Sequence, residues 1–86
     1  MKVGFEDGAW KEYLYWQKTD KKILKKINDL IKEIKRTPFE GTGKPEALKY
    51  DLQGYWSRRI NQEHRLVYSV NDNLSELVIV QCRYHY

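Results

Sequence analysis

Apolar side chains recur at two periods along this chain, and the change of period divides it. Between residues 20 and 36, Leu24, Ile27, Leu30, Ile31 and Ile34 fall three or four apart, while Lys21, Lys22, Lys25, Lys32, Lys35 and Arg36 crowd the other positions. That is an amphipathic helix with one apolar stripe. Thr19 is placed to cap it, and Pro38 disfavours helical geometry at Thr37, which stops it. Upstream, Trp10, Tyr13, Leu14 and Gln17 share one face of a shorter helix over roughly residues 8–17, with Asp7 as its cap. Residues 2–6 read as a short strand. The stretch from Thr37 to Glu46 holds both prolines and two of the five glycines and reads as a loop. Beyond it the period drops to two. Ala47–Tyr50, Tyr55–Ile60, Arg65–Val70 and Leu77–Tyr84 read as strands, joined by links short enough for antiparallel neighbours. The pattern predicts an α+β fold: two N-terminal helices packed on one face of a mainly antiparallel four- to five-stranded sheet, as a single domain over residues 1–86.

Alternation along each strand then sorts residues by face. One face takes Trp56, Arg58 and Ile60, then Leu66, Tyr68 and Val70, then Val78, Val80, Cys82 and Tyr84; these apolar sets should meet the helices. The other face gathers Arg59, Arg65, Gln81, Arg83 and, if the last strand runs on, His85. Folding does not require that gathering. Guanidinium forks match phosphate oxygens, so the set is a candidate anion site, with Lys44, Lys49 and Arg58 close by in sequence. A solvated basic face is the plainer alternative.

Composition adds direction. The 86 residues carry a net charge of +4, which favours polyanionic partners. The single cysteine rules out an internal disulfide and fits a reducing compartment. No apolar run approaches the length of a membrane span, and the N-terminus lacks the apolar centre of a signal peptide, so the expected location is cytoplasmic. His64, His85 and Cys82 do not fall at metal-ligand spacing, and no metal or cofactor is expected. Cys82 reads as a small core residue and His64 as a capping or hydrogen-bonding turn residue. Glu46 lies at the junction of the loop and a strand, beside Lys44 and Lys49, as a candidate base or a solvated carboxylate. His85 is a candidate general acid, and Tyr86 a candidate stacking or phosphate-contacting group. A base, an acid and clustered arginines are the parts needed to cut RNA, whose 2′-hydroxyl can attack its own neighbouring phosphate.

Several stretches carry a resemblance: Tyr13-Leu14-Tyr15-Trp16-Gln17, Arg36-Thr37-Pro38-Phe39-Glu40-Gly41, Gly43-Lys44-Pro45-Glu46, Gly54-Tyr55-Trp56-Ser57-Arg58-Arg59-Ile60, Glu63-His64-Arg65-Leu66-Val67-Tyr68 and Cys82-Arg83-Tyr84-His85-Tyr86. From end to end the chain resembles the YoeB toxins of YoeB–YefM toxin–antitoxin pairs, in the RelE-like superfamily. The resemblance implies a ribosome-dependent mRNA endonuclease that cuts the codon exposed in the decoding A site. It implies Glu46 as general base, His85 as general acid and Arg65 as the group that stabilises transition-state charge. Lys49 and Arg59 match phosphate contacts, and Tyr86 matches a residue that positions RNA. No metal is implied. The implied partners are mRNA and the ribosome, a second copy of the chain in a homodimer, and a YefM-like antitoxin whose acidic, poorly ordered C-terminal segment folds onto the toxin. The alternative function is a non-catalytic basic module that binds RNA or ribosomes and inhibits translation by occupancy. The chain departs from the family pattern at Gly4-Phe5 and in a longer hairpin from Asn71 to Leu77, which bears on the register that delivers His85.

Overall fold

The computed structural model describes residues 1–84; His85 and Tyr86 lie outside the described residues. The elements run β1 (Lys2–Phe5), α1 (Asp7–Thr19), α2 (Lys21–Arg36), β2 (Glu46–Ala47), a 3-10 turn (Tyr50–Leu52), β3 (Trp56–Arg59), β4 (Arg65–Asn71) and β5 (Glu76–Gln81). The strands form one five-stranded sheet in the order β1-β5-β4-β3-β2. Its pairs are antiparallel except β1 with β5, which is parallel. The sheet is therefore mixed, and the helices pack on one of its faces.

The apolar stripe of α2 is where the spacing places it: Ile27, Leu30 and Ile34 are buried, and Leu24 and Ile31 pack beside them. Full burial of such side chains contributes about 1.5–3 kcal/mol each. The cap differs from expectation. Asp20, not Thr19, accepts from the amides of Lys22 and Ile23 at 3.0 and 3.2 Å. Thr19 donates back to the carbonyl of Tyr15 at 2.7 Å and belongs to α1. In α1 the buried residues are Ala9 and Trp16, not the Trp10–Gln17 face. Trp10 is exposed and stacks on Tyr13, with Phe5 against both rings. Glu6, not Asp7, occupies the cap position of α1 and makes no side-chain capping bond.

The parity of the last strand is corrected by a bulge. Tyr68 pairs with Ile79 and Val67 with Gln81, which leaves Val80 as an extra residue. Leu77 and Ile79 therefore face the core, and Val78 and Val80 do not. The inserted residue flips the alternation, so Gln81 returns to the outer face and Cys82 to the core. The Ala47–Tyr50 strand shrinks to Glu46–Ala47; the backbone stays extended at Lys49 and leaves that region at Tyr50, which has a φ of 57° and opens the 3-10 turn. Tyr84, expected in the core, is exposed, with a φ of 63°. The longer hairpin closes between Asn71 and Glu76, where the side chain of Asn71 accepts from the amide of Leu74 at 3.2 Å.

Arg58 lies on the core face, as alternation predicts, and its burial removes it from the anion site. Its Nε donates to the Tyr68 hydroxyl at 3.2 Å, and Nη1 to Glu33 Oε1 at 3.1 Å and the Thr42 carbonyl at 3.2 Å. Nη2 donates to the carbonyls of Thr37 and Glu40 at 2.6 and 2.9 Å. Tyr68 donates its own proton to the Pro38 carbonyl at 2.7 Å. One side chain thus pins most of the loop that leads to Glu46. Glu33 closes the same knot by accepting from the Thr42 amide at 2.6 Å. That bond, with Arg58 adding to it, holds the Glu33 carboxyl below its ordinary value of 4.5. A folded-state value below the unfolded one contributes stability above the unfolded value, lost as pH falls through the folded one. The urea midpoint is therefore expected to drop as pH is taken below 4.5, and Glu33→Gln to flatten that limb. An unchanged limb in Glu33→Gln would assign the acid sensitivity to other carboxylates. Gly41, with a φ of 120°, is required here, since a Cβ would run into the Glu33 carboxylate.

Candidate functional site

The outer face of the sheet carries a row of paired residues, Glu46, Ser57, Val67 and Gln81, running across β2, β3, β4 and β5. On the same face Arg59 and Arg65 sit directly opposite one another on β3 and β4. Opposed like charges destabilise a sheet pair, and guanidinium groups so placed can share an anion. Arg59 and Arg65 were expected to share this face, and they do. Arg59 is exposed, while its amide donates to the Gly43 carbonyl at 2.7 Å and ties the loop to the strand.

Arg65 is half-buried and oriented by the turn before it. Its Nη1 donates to the carbonyls of Asn61, Gln62 and His64 at 2.8, 3.3 and 3.1 Å. The turn is itself held by the Asn61 side chain, which accepts from the amides of Glu63 and His64. The guanidinium is thus fixed before any ligand arrives. Glu46 is exposed and opens onto a shallow cleft of about 330 Å³, lined by Glu46, Ala47, Leu48, Lys49, Tyr50 and Leu52. Glu46 and Lys49 therefore share a cleft at the edge of the face that carries the arginine pair.

The end of the described chain is held differently from the expected strand. β5 stops at Gln81. Beyond it, side chains replace the ladder. Trp16 Nε1 donates to the Cys82 carbonyl at 2.9 Å, and Glu12 accepts from the Cys82 amide at 2.8 Å. The Gln81 amide group donates to the carbonyls of Arg83 and Tyr84 at 3.0 and 3.3 Å. The Tyr84 carbonyl also accepts from the Arg65 amide at 3.0 Å. Cys82 is buried, and that burial, with the Glu12 carboxylate adding to it, pushes its thiol up to about 12. It is a packing residue, not a nucleophile.

Arg83 does not join the arginine pair. Its guanidinium lies 3.8 Å from the centre of the Tyr15 ring and 4.7 Å from that of Tyr84, and Nη2 donates to the Tyr84 hydroxyl at 2.9 Å. The chain leaves the strand after Gln81, and the side chain turns toward α1 instead of continuing the alternation. There it lines a cleft of about 440 Å³ with Tyr15, Asp20, Glu63 and His64 among its walls. The structure thus brings Glu46, Arg59 and Arg65 to one face of the sheet, with Lys49 in the cleft beside Glu46 at its edge, and sends Arg58 and Arg83 elsewhere. His85 and Tyr86 fall outside the described residues, though the Tyr84 carbonyl group to which His85 is joined rests on the Arg65 amide. Alternation alone did not single out Trp16, Glu12 and Gln81 as holders of the tail; their signal is polar or amphipathic character within otherwise packed segments. Among the described residues no group of three or more His, Cys, Asp or Glu residues is placed to hold a metal ion, and no helix is long and apolar enough to cross a membrane.

Known proteins resemble the chain closely. A family model for the YoeB-like toxin of bacterial type II toxin-antitoxin systems matches residues 5–86. The toxin YoeB of Escherichia coli strain K12 is 62% identical over 86 residues, covering 100% of both chains. A YoeB/ParE toxin structure from Agrobacterium tumefaciens superposes with a TM-score of 0.97 at 53% identity, covering 100% of both chains. The Staphylococcus aureus YoeB chain, solved in a heterotetrameric YoeB–YefM complex and also as a YoeB dimer, superposes with a TM-score of 0.91 in each, at 52% and 53% identity, over 100% of this chain and 98% of that one.

Proposed function

The chain belongs to the YoeB-like toxins of bacterial type II toxin–antitoxin systems, and from that premise we propose that it is an mRNA endonuclease acting in the ribosomal A site. The observation that carries the reading is the shared outer face: Glu46 and the opposed Arg59–Arg65 pair lie on it, with Tyr84 bonded to Arg65 at its margin. Glu46 takes the proton of the 2′-hydroxyl. The 2′-oxygen bonds to the neighbouring phosphorus, and the bond from phosphorus to the 5′-oxygen breaks. Arg65 neutralises the crowded phosphorane, Arg59 and Lys49 hold the flanking phosphates, and Tyr86 positions the RNA. His85 protonates the departing 5′-oxygen. The products are a 2′,3′-cyclic phosphate and a free 5′-hydroxyl; the proton that Glu46 takes and the one that His85 gives balance without a metal ion.

The +4 charge favours approach to ribosomal RNA and, equally, capture by an acidic segment. The proposal therefore includes a YefM-like antitoxin whose acidic C-terminal segment orders on this surface, a homodimeric state, and a cytoplasmic site of action. The test is to map cut ends in ribosome-bound mRNA with wild type and the double variant Glu46→Ala, His85→Ala. Wild type is expected to leave 5′-hydroxyl ends at A-site codons, and a 2′-deoxy substitution at the cut position to abolish them. Undiminished cutting by the double variant, or translation inhibited with no cut, overturns the reading.

A further inference from the structure

The Tyr84 amide donates to His64 Nδ1 at 2.7 Å, and one residue along, the Arg65 amide donates to the Tyr84 carbonyl at 3.0 Å. The two bonds clamp one peptide segment of the tail against the start of β4. The first of them ends on a side chain, because the strand ladder has already stopped at Gln81. The His64 ring cannot easily give way. It is 5% exposed and sits edge-on to Trp16, with ring centres 4.8 Å apart. The Tyr84 ring lies 5.5 Å away. Nε2 faces Glu63 Oε1 at 3.5 Å. Since an amide can only donate, Nδ1 must present its lone pair, and the imidazole carries its proton on Nε2.

Tyr84 also has a φ of 63°, a backbone state that residues with side chains seldom enter. Such a state persists where neighbours over-determine it, and here the neighbours are His64 and Arg65. We propose that His64 is a positioning residue for RNA cleavage: its Nδ1 holds the Tyr84 amide, fixing the residue to which His85 is joined at a set place relative to Arg65. The inference rests on the endonuclease reading for what is positioned, and on the Tyr84–His64 bond for how.

Two substitutions separate holding from packing. Asparagine places its Oδ1 near where Nδ1 stands, so His64→Asn keeps the acceptor and loses the ring against Trp16. His64→Phe keeps an aromatic ring and loses the acceptor. A purely structural histidine would make activity follow stability, with phenylalanine the better replacement. The clamp predicts the reverse order. His64→Phe is expected to lower the single-turnover cutting rate on ribosome-bound mRNA by about 100-fold, as small misplacements of reacting groups do. Its half-saturating ribosome concentration should stay near wild type. His64→Asn should stay within about tenfold of wild type. Amide hydrogen exchange gives a readout independent of RNA: the Tyr84 amide should be protected in wild type and in His64→Asn, and exchange freely in His64→Phe. Wild-type cutting by a folded His64→Phe, or free exchange of the Tyr84 amide in wild type, overturns the inference. If His64→Phe does not fold, exchange at Tyr84 in the other two proteins decides. If wild type cuts no RNA, the endonuclease reading fails, while protection at Tyr84 still decides whether the clamp exists.

Discussion

Arg58→Met is expected to lower the thermal midpoint by more than about 12 °C. The substitution removes the donor for three backbone carbonyls, those of Thr37, Glu40 and Thr42, and leaves the Glu33 carboxylate with the Thr42 amide but without its positive partner. Glu33 keeps part of its side chain in solvent, so the larger loss lies in the bonds to the carbonyls: a hydrogen bond to a charged group contributes about 1.5–3 kcal/mol, and a domain of this size loses about 4–8 °C per kcal/mol. Hydrophobic replacement of a whole buried pair is sometimes neutral, but that escape is closed here. Burying a methionine gains about 1.5–3 kcal/mol, whereas each carbonyl left without a partner costs about 1–3 kcal/mol, and carbonyls cannot be mutated away. Arg58→Lys should fall between the two proteins, because one ammonium cannot reach acceptors spread around a planar fork. A differential scanning calorimetry midpoint for Arg58→Met within a few degrees of wild type would show that the loop is held by something else. The effect should extend to function, since the loop pinned by Arg58 delivers Glu46.

Arg65→Ala is expected to do the opposite: a large loss of cutting with little loss of fold. Removing a preorganised donor to developing transition-state charge costs about 10²–10³ in rate. Arg65 is preorganised because three carbonyls share the two Nη1 protons. Two of those carbonyls belong to Asn61 and Gln62, exposed turn residues that water can serve after the change. The backbone bond from the Arg65 amide to the Tyr84 carbonyl survives any side-chain substitution. Arg65→Lys should recover part of the rate through its charge, but not all, since it loses the fork and its anchoring. Single-turnover cutting of ribosome-bound mRNA beside a thermal melt tests both halves. A full rate in Arg65→Ala would remove the residue from the chemistry.

Arg58 and Arg65 show why some of the site was legible in sequence and some was not. Both are arginines in period-two segments of high β content. Alternation alone placed Arg58 toward the helices and Arg65 away from them, and the structure agrees. The use made of Arg58 was a different matter, because its partners come from a loop and a helix distant in sequence. Arg83 was misplaced by the same rule that placed Arg65 well. Alternation assumes an unbroken strand, whereas β5 contains a bulge at Val80 and ends at Gln81. The bulge rescued the placement of Gln81 and Cys82 and overturned that of Val78, Val80 and Ile79. Family resemblance marked Glu46, Lys49, Arg59, Arg65, His85 and Tyr86 as a set, but not the side chains that hold the tail.

By itself the sequence determined the properties that depend on near neighbours along the chain. The stripe of α2, its stop before Pro38, the change from helical to strand period and the facing of Arg59 and Arg65 all follow from local periodicity and backbone sterics. Tertiary structure alone decided the rest: the parallel pairing of β1 with β5, the bulge, the consumption of Arg58 by the loop, the departure of Arg83 toward Tyr15, and the clamp of Tyr84 by His64. Each depends on groups separated by tens of residues meeting with particular donor and acceptor geometry. Such meetings leave no periodic trace, because a hydrogen bond is specified by position in space and not by spacing along the chain.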